Sequence, residues 1–194
     1  MDDYPSLRAL VDVVEAWRGL LDQVTAADLA RATANPDWDV AQVINHSIAV
    51  TRKFTMFADG MTDRPRTPEN DFIGVDHRAS FSDAADRALA AWRHADLRRS
   101  CHLPFGTFTA EQAAGINLFD LLAHGWDIGQ AVGVSFVCPD TAWDAGLSTA
   151  ERVIGEQRDP RHYAPELPAP PGASTQIRFL RYLGRAAGAD PSTT

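Results

Sequence analysis

Asp120 and His124 are the residues of this chain whose types and spacing are best suited to chemistry. They are four apart in an apolar run whose period predicts an α-helix, so both side chains should project from one face. A carboxylate and an imidazole placed in this way can bind one divalent metal ion, as two histidines four apart do in helical zinc sites. The simpler interpretation is a local ion pair on the helix surface, worth about 0.3 kcal/mol.

A third candidate ligand is His46, which lies on the apolar side of another predicted helix. If the two helices face each other, His46, Asp120 and His124 form a set of two histidines and one carboxylate. Such a set leaves coordination positions open for water or substrate, and it suits zinc, with nickel, iron or cobalt also able to fit. Alternatively, His46 lies at the edge of the core and donates to a backbone carbonyl. Asp127, three residues after His124, could orient that imidazole or could be an exposed helix charge.

The other histidines and the cysteines give weaker signals. Cys101 and Cys138 are 37 residues apart, without CxxC spacing, and lie outside these motifs, so a nucleophilic thiol would have to come from a cosubstrate. The remaining histidines fall in irregular stretches, in a short link or near a helix end, and are expected to be solvated: His77, His94, His102 and His162.

The elements that must position the three candidates are predicted to be helices separated by Pro/Gly-rich connections. Asp39 with Gln42, and Thr109 with Gln112, are capping boxes that open the two helices carrying the candidates. No segment shows convincing period-2 alternation, so the fold class is predicted to be all-α, a four-helix bundle with short additional helices. The predicted helices cover residues 6–24, 25–33, 39–58, 82–99, 109–133, 140–156 and 174–187.

Length and composition narrow the function classes. The 194 residues fit a single domain over residues 1–194, with a tail frayed from about residue 188. A net charge of −8 argues against a nucleic-acid partner, and no apolar run is long enough to cross a membrane. Without a secretory signal, a cytoplasmic protein is expected. The irregular stretches 59–81 and 157–173 could shape a substrate mouth, and disorder is the alternative for the first.

Three segments resemble a known superfamily. Residues 38–46, WDVAQVINH, resemble the W-x-V-x-x-V-x-x-H opening of the second helix in the DinB-like superfamily. Residues 120–133, DLLAHGWDIGQAVG, resemble the D/E-x-x-x-H-x-W-D-(L/I)-x-x-A-x-G helix of its actinobacterial branch. Residues 177–185, IRFLRYLGR, resemble the L-L-x-F-L-G-R end of single-domain members. That branch includes the N-terminal domain of mycothiol-dependent maleylpyruvate isomerase.

The resemblance implies an up-down-down-up bundle in which His46, Asp120 and His124 bind a divalent metal. Characterised relatives are metal-dependent transferases or isomerases that use a low-molecular-weight thiol such as mycothiol or bacillithiol. A thiol S-transferase or isomerase-like enzyme with a small-molecule substrate is therefore expected. Members of the superfamily often look dimeric, which makes a homodimer the candidate assembly. A hydrolase using metal-bound water and a non-catalytic binding or stress-response module are the alternatives. The isomerase has Glu where this chain has Asp120, and it carries a C-terminal domain for which 194 residues leave no room. Maleylpyruvate isomerisation itself is therefore not expected.

Overall fold

The computed structural model describes residues 4–35, 37–61, 70–155, 158–160 and 163–188. These residues form a helical protein with one small β-hairpin, which confirms the predicted all-α class. The helices are α1 (Pro5–Leu21), α2 (Val40–Ala58), α3 (His77–Trp92), α4 (Ala110–Val132), α5 (Asp140–Ile154) and α6 (Thr175–Tyr182), with a 3-10 turn at Ala26–Asp28. The hairpin consists of β1 (Ser100–Leu103) and β2 (Gly106–Thr109).

The two helices that carry the candidate ligands begin where their capping boxes predict. The Asp39 carboxylate accepts from the Gln42 backbone N–H at 2.8 Å, and the Gln42 side chain accepts from the Asp39 N–H at 2.8 Å. Thr109 and Gln112 make the same reciprocal pair at the start of α4. Gly133, with φ of +76°, ends α4 in the left-handed conformation that glycine adopts without strain.

Helices α1 and α4 run parallel to each other. At their N-terminal ends, the Ser6 hydroxyl donates to the Glu111 carboxylate at 3.0 Å. About eleven residues further along α1, the buried Trp17 indole N–H donates to the Leu121 carbonyl of α4 at 2.8 Å. Because the residue numbers of the contacts increase together along both helices, α1 and α4 point in the same direction.

Helices α2 and α3 point the other way. His46, near the start of α2, faces Asp120 in the middle of α4. The end of α2 meets the start of α4, because Arg99 donates to the carbonyl of Ala58 at 3.2 Å and accepts from the Ala110 N–H. The start of α3 similarly meets the end of α1, where Arg78 donates to the Leu21 carbonyl at 2.9 Å. The predicted up-down-down-up arrangement is therefore confirmed.

The third long helix of the bundle begins earlier than predicted. Asp76, rather than Ser82, is its N-cap, since the Asp76 carboxylate accepts from the backbone N–H groups of Arg78 and Ala79. Phe81 in its first turns is fully buried and stacks on Trp17 at 4.8 Å between ring centroids. Residues 77–80, HRAS, lack a large apolar side chain, which conceals this turn in the sequence pattern. His77 therefore lies in a helix rather than in the irregular stretch.

The hairpin is a further departure from the prediction, besides the predicted helix 25–33, which is only the 3-10 turn Ala26–Asp28, and the third helix, which ends at Trp92 rather than at residue 99. Cys101 and Leu103 of β1 are buried while their neighbours are exposed, but four residues are too few for period-2 alternation to be recognised. His102 lies in this strand rather than in a link, and its ring pairs with the Thr107 hydroxyl at 2.9 Å.

The end of the chain differs from the prediction in extent. The last helix ends at Tyr182 rather than near residue 187. The predicted frayed tail from residue 189 onward, residues 62–69 of the irregular stretch 59–81, and His162 lie outside the described residues. No helix in the described part of the chain has the length and apolar character that crossing a bilayer requires.

Candidate metal centre

The bundle brings together the three residues that the spacing and the resemblance select. His46 comes from α2, and Asp120 and His124 come from α4. The Nε2 atom of His46 lies 3.4 Å from Asp120 Oδ1, and the Nε2 atom of His124 lies 3.7 Å from the same oxygen. One ligand atom from each residue can be chosen so that all three lie within 4.8 Å of one another. The helix-surface ion pair considered above does not describe this site, because a second helix contributes to it.

His124 is oriented by a charged network on the outer side of the cluster. Its Nδ1 lies 3.1 Å from Asp127 Oδ2. Asp127 is 2% exposed and accepts two hydrogen bonds from Arg185, from Nε at 2.7 Å and from Nη2 at 2.6 Å. Burial opposes ionisation of Asp127, but the Arg185 guanidinium and His124 outweigh it and lower its pKa to about 2. We call Arg185, Asp127 and His124 the outer network.

The outer network determines which nitrogen of His124 carries the proton. An ionised Asp127 can only accept hydrogen bonds, so the imidazole places its N–H on Nδ1. In the neutral ring, Nε2 is then an acceptor, and it faces Asp120 Oδ1, which is also an acceptor. Two acceptors in this position need a proton or a cation between them. This is an observation that fits a metal ion at the cluster.

Asp120 carries the charge of the cluster. Burial works against its ionisation, but the imidazoles of His124 and His46 outweigh burial and hold its pKa below the ordinary value. Its second oxygen, Oδ2, is buried and has no hydrogen-bond partner among the described residues. Two imidazole nitrogens and a carboxylate oxygen are a donor set that zinc and its neighbours in the first transition row accept.

Trp38 covers the two imidazoles. Its ring centroid lies 4.6 Å from that of His46 and 5.7 Å from that of His124, and the two imidazoles meet edge to face at 5.1 Å. The indole therefore restricts both rings and shields one side of the cluster from solvent. The sequence motif contains Trp38, but nothing in the spacing indicates that it contacts His124.

Parts of both irregular stretches lie near the cluster. The Asn45 side chain, next to His46, donates to the Asn70 carbonyl at 2.9 Å and accepts from the Phe72 N–H at 2.6 Å. From the other stretch, Tyr163 is close enough for the charge of Asp120 to act on it. Burial first and that charge second raise the pKa of Tyr163 to about 12, so the phenol keeps its proton at neutral pH.

Sequence reasoning singled out neither Tyr163 nor Arg185 as a site residue. Arg185 closes the third resembling segment, but its contact with Asp127 spans 58 residues, and no local pattern encodes such a contact. The two cysteines lie apart from the cluster. Burial raises the pKa of Cys101, and burial with the nearby Asp12 raises the pKa of Cys138 to about 12, so neither thiol is activated.

Comparison with known proteins gives a family but no characterised relative. Two uncharacterized proteins of Mycobacterium tuberculosis, from strains CDC 1551 / Oshkosh and ATCC 25618 / H37Rv, are each 26% identical to this chain over 174 residues. The similarity covers 88% of this chain and 92% of each relative. No solved structure matches the chain significantly. The model of the mycothiol maleylpyruvate isomerase N-terminal domain matches residues 10–129, which is more than half of the chain and contains His46, Asp120 and His124. The chain therefore belongs to the mycothiol maleylpyruvate isomerase N-terminal domain family.

Proposed function

We propose that this protein is a metal-dependent enzyme that transfers or isomerises a small electrophile with the help of a low-molecular-weight thiol of the mycothiol type. The observation that carries the proposal is the approach of three ligand atoms, from His46, Asp120 and His124, to within 4.8 Å of one another. Membership of a family named for a mycothiol-dependent isomerase supports the thiol. The substrate need not be maleylpyruvate, because the carboxylate here is the shorter Asp.

His46, Asp120 and His124 would hold the metal ion, and zinc is the first candidate. The alternative to a metal is a proton shared among the same atoms. An oxygen and two nitrogens on a half-buried surface also suit cobalt, nickel and iron, and the ligand set does not select among them. A divalent ion with three protein ligands and open positions lowers the pKa of a thiol or water bound to it.

The other residues of the site hold protons and exclude water. Asp127, kept ionised by Arg185, fixes the His124 proton on Nδ1 and so presents Nε2 to the centre of the cluster. Trp38 covers one side of the imidazoles. Tyr163, whose hydroxyl is protonated at neutral pH, is suited to donating a hydrogen bond to an anion that develops in the substrate.

The nucleophilic thiol has to come from a cosubstrate. Cys101 is buried and Cys138 is half-buried, and burial raises the pKa of both thiols. Neither belongs to the cluster of possible ligands. A protein that activates an external thiol needs no reactive cysteine of its own, and the chemistry of these two residues agrees with that.

Elemental analysis of protein purified without a His tag tests the proposal. We expect about one equivalent of a divalent metal in the wild type and its loss in His46→Ala and in His124→Ala. The matched control is His102→Ala, which removes an exposed imidazole on β1 and should leave the metal content unchanged. Absence of metal from the wild type, or metal unaffected by the two ligand changes, would overturn the proposal.

Thiol dependence tests the second part of the proposal, that the enzyme uses an external thiol. Wild-type protein is assayed with a panel of activated alkenes, epoxides and alkyl halides, with and without added mycothiol or a simpler thiol. Turnover that requires the thiol supports the proposal. Turnover that proceeds equally well without it identifies a hydrolase acting through water and overturns the transferase assignment.

A further inference from the structure

A group of buried polar side chains belongs to α2 and α4, the two helices that carry the candidate ligands. Asn117 is 1% exposed, and neither its amide nitrogen nor its amide oxygen has a hydrogen-bond partner among the described residues. The hydroxyls of Ser47 and Thr51 are equally buried and equally without partners there. We call Ser47, Thr51 and Asn117 the inner polar group.

These hydroxyls differ from others in the same fold. A buried helical Thr commonly bonds to a carbonyl of its own helix one turn back, and Thr149 of α5 does so with Ala145 at 2.9 Å. Thr55, in the same helix as Thr51, also bonds in this way. Ser47 and Thr51 do not, so their hydroxyls are free to bond to something between the helices.

Helix geometry relates the inner polar group to Asp120. Asn117 precedes Asp120 by three residues and lies on the same face of α4. Ser47 and Thr51 are four apart and share one buried face of α2. Because α2 runs antiparallel to α4 and His46 faces Asp120, Thr51 lies further along α2 in the direction in which Asn117 precedes Asp120 on α4. The oxygen Oδ2 of Asp120 is buried and without a partner among the described residues as well.

The composition of this group needs an explanation. Leu, Val and Ala would fill the same volumes without leaving polar atoms unpaired, and unpaired buried amides are destabilising. Folded proteins satisfy such groups with ordered water when two to four polar partners converge. Here a carboxylate oxygen, an amide and two hydroxyls on the two helices are buried without a partner among the described residues.

We propose that Asn117 is a positioning residue for Asp120. Its amide N–H donates to a buried water that in turn donates to Asp120 Oδ2, and the hydroxyls of Ser47 and Thr51 bind the same water. This holds the carboxylate so that only Oδ1 faces the two imidazoles. The inference rests on the proposed function, because the oriented oxygen is the proposed metal ligand. It also explains how the short side chain of Asp can serve where the resembling isomerase has Glu.

The first test measures cobalt(II) affinity of metal-free protein by titration, with the visible absorption of the bound ion as the signal. Asn117→Leu keeps the volume and removes the amide, and we expect affinity to fall at least about tenfold. Asn117→Ser replaces the amide by a hydroxyl, which can also donate, and makes room for a further water, so its affinity should stay within about threefold of the wild type. Unchanged affinity in Asn117→Leu, or an equal loss in both variants, would overturn the inference.

A matched pair of threonines separates this role from the general cost of losing a buried hydroxyl. Thr51→Val and Thr149→Val remove the same atom from the same residue type in two helices. Only Thr51 belongs to the inner polar group, so only Thr51→Val should weaken cobalt binding, by several-fold. Equal effects of the two changes count against the shared water.

A metal-independent measurement separates failure of this inference from failure of the proposed function. In metal-free protein, Asn117→Leu should lower Tm in the wild-type background and change it much less in an Asp120→Ala background, because the two side chains share a hydrogen-bond chain. This coupling supports the inference even if the wild type binds no cobalt. Absence of cobalt binding would overturn the metal proposal but not the role of Asn117. Additive Tm shifts overturn the inference whether or not cobalt binds. If Asn117→Leu does not fold, Asn117→Ala, which also removes the amide, replaces it in the cycle.

Discussion

The outer network and the inner polar group are built in opposite ways, although each adjoins one residue of the Asp120–His124 pair. In the outer network, Arg185 and His124 meet both oxygens of Asp127 at 2.6 to 3.1 Å, and Arg185 and Asp127 form an ion pair. In the inner polar group, the groups are neutral and their side-chain polar atoms have no partner among the described residues. The fold itself therefore fixes the imidazole of His124, whereas Oδ2 of Asp120 has no partner in the described part of the chain.

This difference has a consequence for how each side tolerates change. A buried charge left without its counter-ion is strongly destabilising, so the outer network should fail as a unit. A neutral hydroxyl that bonds to water can be replaced by an apolar group of the same shape at small cost to folding. Stability should therefore respond mainly to changes in the outer network, while changes in the inner polar group should appear in metal affinity.

Removal of the central carboxylate of the outer network should have the largest effect. Asp127→Ala leaves the Arg185 guanidinium and the His124 Nδ1 without their acceptor. Because Arg185 is partly exposed, we expect a loss of about 2–3 kcal/mol, which is a fall in Tm of about 5–10 °C for a chain of this length. Cobalt affinity should fall about 10–100-fold.

Thermal unfolding of metal-free protein and cobalt titration measure these two effects. The control is Asp144→Ala, which removes an exposed carboxylate from α5 and should change Tm by less than about 2 °C. A similar, small shift in both variants would mean that the outer network contributes no more than a surface charge.

A conservative change at the arginine should have an intermediate effect. Arg185→Lys keeps the positive charge but cannot make the two parallel hydrogen bonds that the guanidinium makes with Asp127. We expect a loss of about 1 kcal/mol, or about 2–4 °C in Tm, with His124 still oriented and cobalt bound within about threefold of the wild type. A loss as large as that of Asp127→Ala would show that geometry, rather than charge, maintains the network.

Removal of both inner hydroxyls should have a smaller effect on folding. The double change Ser47→Ala and Thr51→Val replaces two buried hydroxyls by apolar groups of similar shape. We expect Tm to change by no more than about 3 °C, while cobalt affinity falls, which is the reverse of the balance in Arg185→Lys. If Tm falls as far as in Asp127→Ala, the contrast between the two sides is wrong.

The same contrast marks what the sequence can predict. The caps at Asp39 and Thr109 are local patterns, and the one-turn spacing of Asp120 and His124 is local too. The sequence alone therefore predicts both. His46 required the additional idea that bundles direct polar side chains from facing helices inward. The inner residue Asn117 does leave a local signal, a lone amide within the apolar run 113–122, but the helical spacing that identified Asp120 assigns it no partner.

Local sequence patterns do not encode long-range contacts. The Arg185–Asp127 pair joins residues 58 apart, and it depends on where the chain passes after α6. The contact between Trp38 and His124 likewise needs α2 and α4 to be packed first. The N-cap of α3 at Asp76 has no clear signal in the sequence pattern. The first turn of the helix lacks large apolar side chains, and its first buried residue, Phe81, comes only in the second turn.

Lengthening the carboxylate ligand should have the smallest effect and sharpens the comparison most. Asp120→Glu adds one methylene and restores the residue of the resembling isomerase motif. The longer side chain carries its carboxylate away from the inner polar group, so cobalt affinity should stay within about threefold of the wild type and Tm within about 2 °C.

The decisive measurement is the cobalt affinity of Asn117→Leu made in the Asp120→Glu protein. If the inner polar group serves to hold a short carboxylate, Asn117→Leu should weaken cobalt binding about tenfold beside Asp120 and hardly at all beside Glu. An equal loss in both backgrounds would mean that Asn117 supports α4 as a whole. The outer network provides the reference, because Asp127→Ala acts through His124 and should weaken binding equally with either carboxylate.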